Sequence, residues 1–232
     1  MSITIKSTRK TLEKYASEVL ANCIRKLLKK QLRVVFAIPG GRSVSALFRM
    51  LQKMPVPWNR VHLFMADERI VPPGDPDSNF REAKEGFIDQ LINENILQKD
   101  NIHPFIINTR EADRGLSRYE QEFQHHGGRA DIVLLSAGED GHVASLFPNH
   151  PSIQNESEHY ITISDSPKEP KGRITMSRKL IQRAHYVLLL FFGEEKGNAY
   201  RLFVSDDADI ISCPAKLVLS VKDSYIFTDI EE

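Results

Sequence analysis

Residues 34–51 read VVFAIPGGRSVSALFRML, and this stretch decides the fold class. Its first five residues, 34–38, form an apolar run of the length expected for a buried strand, and Pro39-Gly40-Gly41 ends that run. A helical pattern then begins at Ser43, with apolar residues at three- and four-residue spacing as far as Leu51. Strand, glycine turn and helix follow one another, which is the repeating unit of an α/β sheet.

The same alternation extends along the rest of the chain. Apolar spacing predicts an amphipathic helix over residues 12–30. Further strands are predicted at 61–65, 102–107, 132–135 and 186–192, with helices at 78–91 and 116–123. Continuous apolar strands are typical of a parallel sheet that is covered on both faces. The sequence therefore predicts a doubly wound α/β fold, Rossmann-like, with a mainly parallel sheet and helices on both faces, while the polar residues 148–172 predict a long functional loop.

Length and composition indicate one ordinary globular domain over residues 1–232, since no linker-like stretch interrupts the 232 residues. Lysine plus arginine equals aspartate plus glutamate, at 31 each, so no global field would recruit nucleic acid or an anionic membrane. The basic residues near the start fit a solvated helix face, because no aromatic residues alternate with them. We therefore expect a small-molecule ligand, and a monomer or a small homo-oligomer.

Cellular location is suggested by what the composition lacks. The two cysteines, Cys23 and Cys213, are too few for a disulfide framework and show no CxxC spacing. The first twenty residues contain charges and no apolar leader-like core, and no apolar run approaches about 18 residues. We expect a cytoplasmic protein.

Ligands of open parallel sheets bind beyond the carboxyl ends of the strands, so the loops that follow the predicted strands are the candidate site. Gly40-Gly41 stands between a strand and a helix start, where backbone N–H groups can approach a phosphate closely. A simple tight turn explains the glycine pair equally well. The stretch matches neither GxxxxGK[ST] nor GxGxxG, so nucleotide binding has no support.

A second loop, Asp67-Glu68-Arg69, places two carboxylates and a guanidinium at a strand end. An arginine there could hold a phosphate through two parallel hydrogen bonds. The alternative is a salt-bridged surface loop with no ligand.

The third loop contains Asp140-Gly141-His142 after a predicted buried strand. A histidine held on a glycine turn can take a proton from water near neutral pH. Glu139 and Asp140 are both close enough in sequence to orient its ring. The alternative is a structural histidine.

Metal and serine chemistry lack their usual spacings. The sequence contains no HExxH motif and no paired CxxC motif, and His125-His126 beside Gly127-Gly128 is typical of an exposed loop. We therefore expect no metal and no cofactor. A GxSxG elbow is missing too, which indicates a water nucleophile.

Taken together, these loops resemble those of the 6-phosphogluconolactonase family, which is grouped with the glucosamine-6-phosphate isomerases and deaminases. The matching pieces are Pro39-Gly40-Gly41-Arg42-Ser43, Asp67-Glu68-Arg69, Asp77-Ser78-Asn79, residues 138–148, Asp165-Ser166-Pro167-Lys168-Glu169-Pro170, Arg173-Ile174-Thr175, residues 193–196 and Pro214-Ala215. Deaminases continue the Asp-Gly-His segment with a Phe-Asn-Glu-Pro type sequence, whereas this chain reads ASLFP over 144–148. One departure is Ser136, where the family usually has glycine.

The resemblance implies hydrolysis of 6-phospho-D-glucono-1,5-lactone to 6-phospho-D-gluconate. It implies that His142 activates water, with Asp67 and Asp140 as further catalytic residues and with backbone N–H groups of the loop stabilising the oxyanion. It places the substrate and its phosphate against Gly40, Gly41, Arg42, Arg69, Ser78, Asn79, Lys168, Arg173 and Lys196. Two other functions stay open: a glucosamine-6-phosphate deaminase, and a sugar-phosphate-sensing module without turnover, although no helix-turn-helix pattern is present.

Overall fold

A computed structural model describes residues 2–40 and 42–231, with Arg42 described by its backbone, and most of its strands form one parallel sheet. In chain order the strands are β1 (Ser2–Lys6), β2 (Val34–Ile38), β3 (Val61–Met65), β4 (Asp67–Arg69), β5 (Ile102–His103), β6 (Ile132–Ser136), β7 (Tyr160–Ile163), β8 (Arg173–Met176), β9 (Tyr186–Phe191) and β10 (Asp223–Thr228). The α-helices are α1 (Arg9–Leu28), α2 (Ser45–Leu51), α3 (Asn79–Ala83), α4 (Asp89–Asn93), α5 (Leu116–His125), α6 (Arg178–Gln182) and α7 (Gly197–Val204). Short 3₁₀ helices lie at Arg42–Val44, Trp58–Arg60, Lys99–Asn101, Pro151–Gln154, Glu194–Lys196 and Pro214–Ser220, and a π-helical turn, Lys84–Ile88, joins α3 to α4.

The seven strands of the main sheet lie in the order β1-β10-β9-β6-β2-β3-β5, and every neighbouring pair is parallel. From β2 the chain adds β3 and β5 on one side, and then crosses to add β6, β9 and β10 on the other. The winding direction therefore reverses between β2 and β6. Such a reversal opens a crevice at the carboxyl ends of the two strands.

Strand β2 shows why the sheet is buried on both faces, since all five of its residues are buried. Val34, Phe36 and Ile38 pack on one face with buried residues of α1, α2 and α4. Val35 and Ala37 face the opposite side, where buried residues of α5, α6 and α7 cover the sheet. Because side chains alternate along a strand, one apolar run of five supplies both cores. The predicted doubly wound α/β fold is confirmed.

A second, antiparallel sheet in the order β4-β8-β7 packs on the α5 side of the main sheet. Ile161, Ile174 and Met176 from it are buried in the same apolar cluster as Val35 and Ala37. The small sheet is therefore fixed to the main one by a continuous core.

Three sequence predictions differ from the structure by more than the exact end of a helix or strand. The strand predicted over 102–107 is limited to Ile102–His103, because Pro104 has no N–H to donate to the ladder. The loop predicted over 148–172 contains the helix Pro151–Gln154 and strand β7. His126, predicted in an exposed loop, has a side chain only 8 % exposed, because it packs against His62 and Phe64 of β3.

Helix α2 begins at Ser45, two residues after the predicted start, because Arg42–Val44 forms a 3₁₀ turn. Strands β2 and β3 have the predicted bounds. None of the helices within the described ranges is long and apolar enough to cross a membrane.

Candidate active site

A cleft of about 110 Å³ lies at the carboxyl ends of β2 and β6, where the winding reverses. Its lining comes from loops of the main sheet and from the small sheet: Pro39, Gly40, Asp67, Arg69, Asn79, Ser136, His142, Ala144 and Arg173. Six of the side chains or turns expected at the site, namely Gly40, Asp67, Arg69, Asn79, His142 and Arg173, are brought together here. The remaining lining residues frame them.

His142 follows β6 and is paired with Asp140, whose Oδ1 lies 2.5 Å from the ring Nδ1. The same carboxylate oxygen accepts a hydrogen bond from the His142 backbone N–H at 3.2 Å. The ring of Phe147 packs against the imidazole with 4.8 Å between ring centroids. Asp140 rather than Glu139 therefore orients the ring, and Nε2 is the nitrogen left for other partners.

Asp140 is held in its ionised form. Burial raises its pKa, but the hydrogen bonds and charge of His142, together with Lys168, outweigh that effect and bring the pKa below its ordinary range. Lys168 Nζ lies 3.7 Å from Asp140 Oδ2. With an ionised acceptor at Nδ1, the proton of the neutral ring belongs on Nδ1, and Nε2 has the lone pair of a base.

The loop needs glycine at position 138 for this arrangement. A Cβ atom on Gly138 would lie 1.9 Å from His142 Nδ1 and 2.8 Å from Asp140 Oδ1, far inside van der Waals contact. Gly138 also donates its N–H to the His142 carbonyl at 2.8 Å, which closes the turn. The imidazole therefore lies directly over the Gly138 backbone.

Two arginines lie directly opposite each other on neighbouring strands of the small sheet. Arg69 and Arg173 are register partners in the antiparallel pair β4 and β8, and both line the cleft. Burial lowers the pKa of Arg173, and Arg69 adds to that lowering against the opposing charge of Asp67. Like charges placed directly opposite on a sheet are destabilising unless an anion lies between them. This pair is the strongest feature of an anion site in the cleft.

Arg173 is 5 % exposed, and carbonyl oxygens fix its orientation. Its Nε donates to the Pro170 carbonyl at 3.0 Å, and its Nη2 donates to the carbonyls of Lys168 and Glu169 at 3.2 and 3.1 Å. The guanidinium also lies 5.7 Å from the centroid of the Phe147 ring. Phe147 thus contacts both the His142 ring and Arg173, and joins the two halves of the cleft.

Asp67 is buried at the start of β4, and its Oδ2 accepts a hydrogen bond from Ser145 Oγ at 2.6 Å. The Asn79 side chain donates to the Asp67 carbonyl at 3.0 Å. Asn79 also approaches Gly40 so closely that a Cβ there would lie 2.2 Å from Asn79 Oδ1. Gly40 is therefore needed for close packing at the cleft wall. Gly41 lies outside the described residues, as does the side chain of Arg42.

Glu68 is a structural residue that sequence reasoning did not assign. Its carboxylate accepts hydrogen bonds from the backbone N–H groups of Arg69, Asn79 and Phe80, each at 2.7 Å, and from Ser78 Oγ at 3.1 Å. Burial raises its pKa against these hydrogen bonds. Ser78, expected at the substrate, is instead fully buried and caps α3 through the Arg81 N–H. The structure places Ser78 beside Glu68 and outside the cleft lining.

Lys196 and Lys168 form a second basic group next to Asp140. Lys196 follows β9 in the 3₁₀ turn Glu194–Lys196 and is half-buried. Burial lowers its pKa, and the nearby carboxylates of Glu195 and Glu139 only partly oppose this. Neither lysine lines the cleft itself, so both belong to its rim.

Ser136, which departs from the usual glycine of the resembling family, has no positive φ, so serine fits without backbone strain. Its Oγ is buried in the cleft wall and has no hydrogen-bond partner among residues 2–40 and 42–231. A buried hydroxyl without a hydrogen-bond partner is available to bind a ligand in the cleft.

The chain is similar to known proteins over most of its length. The model of the family described as "Glucosamine-6-phosphate isomerases/6-phosphogluconolactonase" matches residues 7–227. A 6-phosphogluconolactonase of Borreliella burgdorferi is 31% identical over 194 residues, which cover 84% of this chain and 83% of the relative.

Solved structures agree with the sequence match. The crystal structure of a 6-phosphogluconolactonase from Thermotoga maritima superposes with a TM-score of 0.82 at 25% identity, covering 98% of both chains. A monomeric glucosamine-6-phosphate deaminase has a TM-score of 0.79 at 20% identity over 98% of this chain and 96% of its own. The second likeness concerns the fold alone.

Proposed function

Because the chain belongs to the glucosamine-6-phosphate isomerase/6-phosphogluconolactonase family, we propose that it hydrolyses 6-phospho-D-glucono-1,5-lactone to 6-phospho-D-gluconate. This reaction is a step of the oxidative pentose phosphate pathway. One observation carries the proposal: a histidine held by an ionised aspartate and a facing pair of arginines line the same cleft. A base and an anion anchor are what a phosphorylated lactone requires.

His142 acts as the general base. Its Nε2 takes a proton from water as the water oxygen forms a bond to the lactone carbonyl carbon. Asp140 keeps Nδ1 protonated and stabilises the imidazolium that forms. The bond between that carbon and the ring oxygen then breaks, and the imidazolium returns its proton to the departing hydroxyl. The free carboxylic acid that results ionises at neutral pH.

Most backbone N–H groups near His142 are already used within the loop. Those of Gly138, Gly141, Val143 and Leu146 donate to carbonyls of the loop itself, and that of Ser145 donates to Thr175 Oγ1. The Ala144 N–H has no acceptor among the described residues, and Ala144 lines the cleft with a φ of 50°. We therefore assign oxyanion stabilisation to Ala144 in particular.

Arg69 and Arg173 hold the phosphate, since a dianion between them relieves their mutual repulsion. Lys168 and Lys196 add positive charge to this binding, and the N–H groups of Gly40 and Gly41, together with Arg42, contact the phosphate, as the family resemblance implies. Asp67 and Asn79 lie at the wall and bind sugar hydroxyls. This binding away from the reacting carbon positions the carbonyl beside His142.

Every step above uses side chains, backbone N–H groups and water, so the proposal needs no metal and no cofactor. We also propose that the protein is cytoplasmic and that it acts, as a monomer or small homo-oligomer, on a small molecule and not on nucleic acid or membrane.

The test compares three substrates under matched conditions, with spontaneous lactone opening measured in parallel and subtracted. A coupled dehydrogenase that oxidises 6-phosphogluconate should show rapid hydrolysis of freshly made 6-phosphogluconolactone. Titration of the released acid should show slow hydrolysis of unphosphorylated gluconolactone, and an ammonia assay should show no release from glucosamine 6-phosphate. Faster ammonia release would make the protein a deaminase. Calorimetric binding of 6-phosphogluconate without any turnover would make it a sensing module instead.

A further inference from the structure

Three histidines that are distant in sequence meet at the edge of the main sheet. His62 lies on β3, His103 lies on β5, and His126 directly follows α5. One ring nitrogen from each lies within 4.8 Å of the other two. None of the three lines the cleft at the carboxyl ends of β2 and β6. The cluster is therefore separate from the proposed lactonase site.

A carboxylate fixes two of the rings from one side. Glu122 Oε1 lies 3.1 Å from His103 Nδ1 and 3.2 Å from His126 Nε2. Glu122 accepts a hydrogen bond from the N–H of His103 Nδ1 and from that of His126 Nε2. The other nitrogen of each neutral ring, His103 Nε2 and His126 Nδ1, then has a free lone pair. A histidine that binds a metal through one ring nitrogen usually donates the N–H of its other ring nitrogen to a carboxylate in this way.

The inner nitrogens are close together and incompletely satisfied. His62 Nδ1 lies 2.9 Å from His103 Nε2. His126 Nδ1 is buried without a hydrogen-bond partner among the described residues, on a side chain that is 8 % exposed. A buried nitrogen lone pair beside two further ring nitrogens is costly unless something binds there.

We propose that His62, His103 and His126 bind one divalent transition-metal ion of the Zn²⁺ type, with water as its fourth ligand. Zn²⁺ bonds to histidine nitrogen at about 2.0 Å, so a tetrahedral site places its ligand nitrogens about 3.3 Å apart. The His62 to His103 separation of 2.9 Å therefore needs to open slightly, and the other two separations are at most 4.8 Å. Imidazole ligands favour zinc, copper, nickel and cobalt over magnesium and calcium.

Two charged side chains of opposite sign lie beside the cluster. Burial lowers the pKa of His62 and of His103 to about 4, and it also lowers that of His126. The positive charge nearby is Arg33, whose Nη2 donates to the His125 carbonyl at 3.1 Å. Glu122 opposes that charge.

The ion has a structural role in this position. Strand β5 contains only Ile102 and His103, and it forms the edge of the sheet. The Phe64 ring stacks on His103 with 4.2 Å between centroids, which already orients the imidazole. A metal shared by β3, β5 and the end of α5 would tie this short edge strand to its neighbours.

Cobalt and zinc titrations of the full-length, metal-stripped protein test the proposal. Co²⁺ should produce the d–d absorption of a tetrahedral site at one equivalent per chain, and Zn²⁺ should displace it. Zn²⁺ should also raise the Tm, because an ion that binds only the folded state stabilises that state. His126→Ala and His103→Ala should abolish the cobalt band, and Glu122→Gln should weaken binding by roughly 10- to 100-fold.

Two matched histidine variants serve as controls. His159→Ala removes an exposed imidazole elsewhere, and His142→Asn removes the one in the cleft, and both should keep the one-equivalent cobalt band. A band that survives in His126→Ala, or that disappears in His142→Asn, would overturn the assignment, as would a wild-type protein that gives no band. Because His103 is buried and its variant could misfold, His126→Ala and Glu122→Gln decide the outcome in that case.

Discussion

Replacing Gly138 by alanine introduces a methyl group where the His142 ring lies. The new Cβ would stand 1.9 Å from Nδ1 and 2.0 Å from Cε1 of the imidazole. No positive φ is present at Gly138, so the backbone itself accepts alanine without strain. The substitution therefore displaces the base while leaving its chemical identity unchanged.

The expected loss follows from that distance. Carbon atoms in contact sit about 3.5 Å or more from their neighbours, so the ring must move by about 1.5 Å. A misplacement of about 1 Å costs on the order of 100-fold in rate, and complete loss of a general base costs about 10² to 10⁴-fold. Gly138→Ala should lower kcat within that range. KM should change little, because Arg69 and Arg173 are on the small sheet.

Steady-state kinetics on fresh 6-phosphogluconolactone measure this effect, with the spontaneous rate subtracted. Gly74→Ala is the matched control, since a Cβ at Gly74 has nothing within 4 Å, and it should keep wild-type kcat. His142→Asn should lower kcat by about 10² to 10⁴-fold on its own. Because both changes act through one imidazole, the double variant should be no slower than His142→Asn. A folded Gly138→Ala variant that retains more than about half of kcat, or two losses that multiply in the double variant, would contradict displacement of the imidazole by the new methyl group.

Arg69→Ala should lower kcat/KM for the phosphorylated lactone by about tenfold to a hundredfold, since one charged hydrogen bond contributes about 1.5 to 3 kcal/mol; the exposed-site variant Arg110→Ala should have no effect. An equal loss on unphosphorylated gluconolactone would contradict phosphate binding by Arg69. Burial lowers the pKa of Lys196, so its charge should be lost before the pH reaches the usual lysine range, and the Kd for 6-phosphogluconate should rise by up to about tenfold as the pH is raised toward that range. Calorimetry should show that Lys196→Arg moves this weakening to higher pH, and an unchanged profile would exclude Lys196 from phosphate binding.

The main sheet was predictable because its signals are local. Strands β2 and β3 are apolar runs bounded by turn residues, so their ends are visible in the sequence itself. Strands β1 and β10 were not predicted, since their polar residues dilute the apolar pattern. Topology then placed the loops after β2 and β6 together, and the structure does bring Gly40 and His142 into one cleft.

The small sheet was missed because pairing across long sequence separations stabilises it. Strand β4 has three charged residues, and it becomes a strand only by pairing with β8 about a hundred residues later. For the same reason the facing of Arg69 and Arg173 is invisible in the sequence. His126 was predicted in an exposed loop and Glu68 was given no role, since a histidine beside two glycines and a charged residue show no sign of burial until distant elements pack on them.

The division of the cleft between two sheets has an evolutionary consequence. The pair that we propose to transfer protons, Asp140 and His142, lies on a loop of the main sheet, whereas the arginines that we propose to bind the anion lie on β4 and β8. Mutations in the small sheet can therefore alter which sugar phosphate is accepted while the proton-transfer loop is inherited unchanged. Under this arrangement a gene duplicate could acquire a new substrate before it acquires a new chemistry.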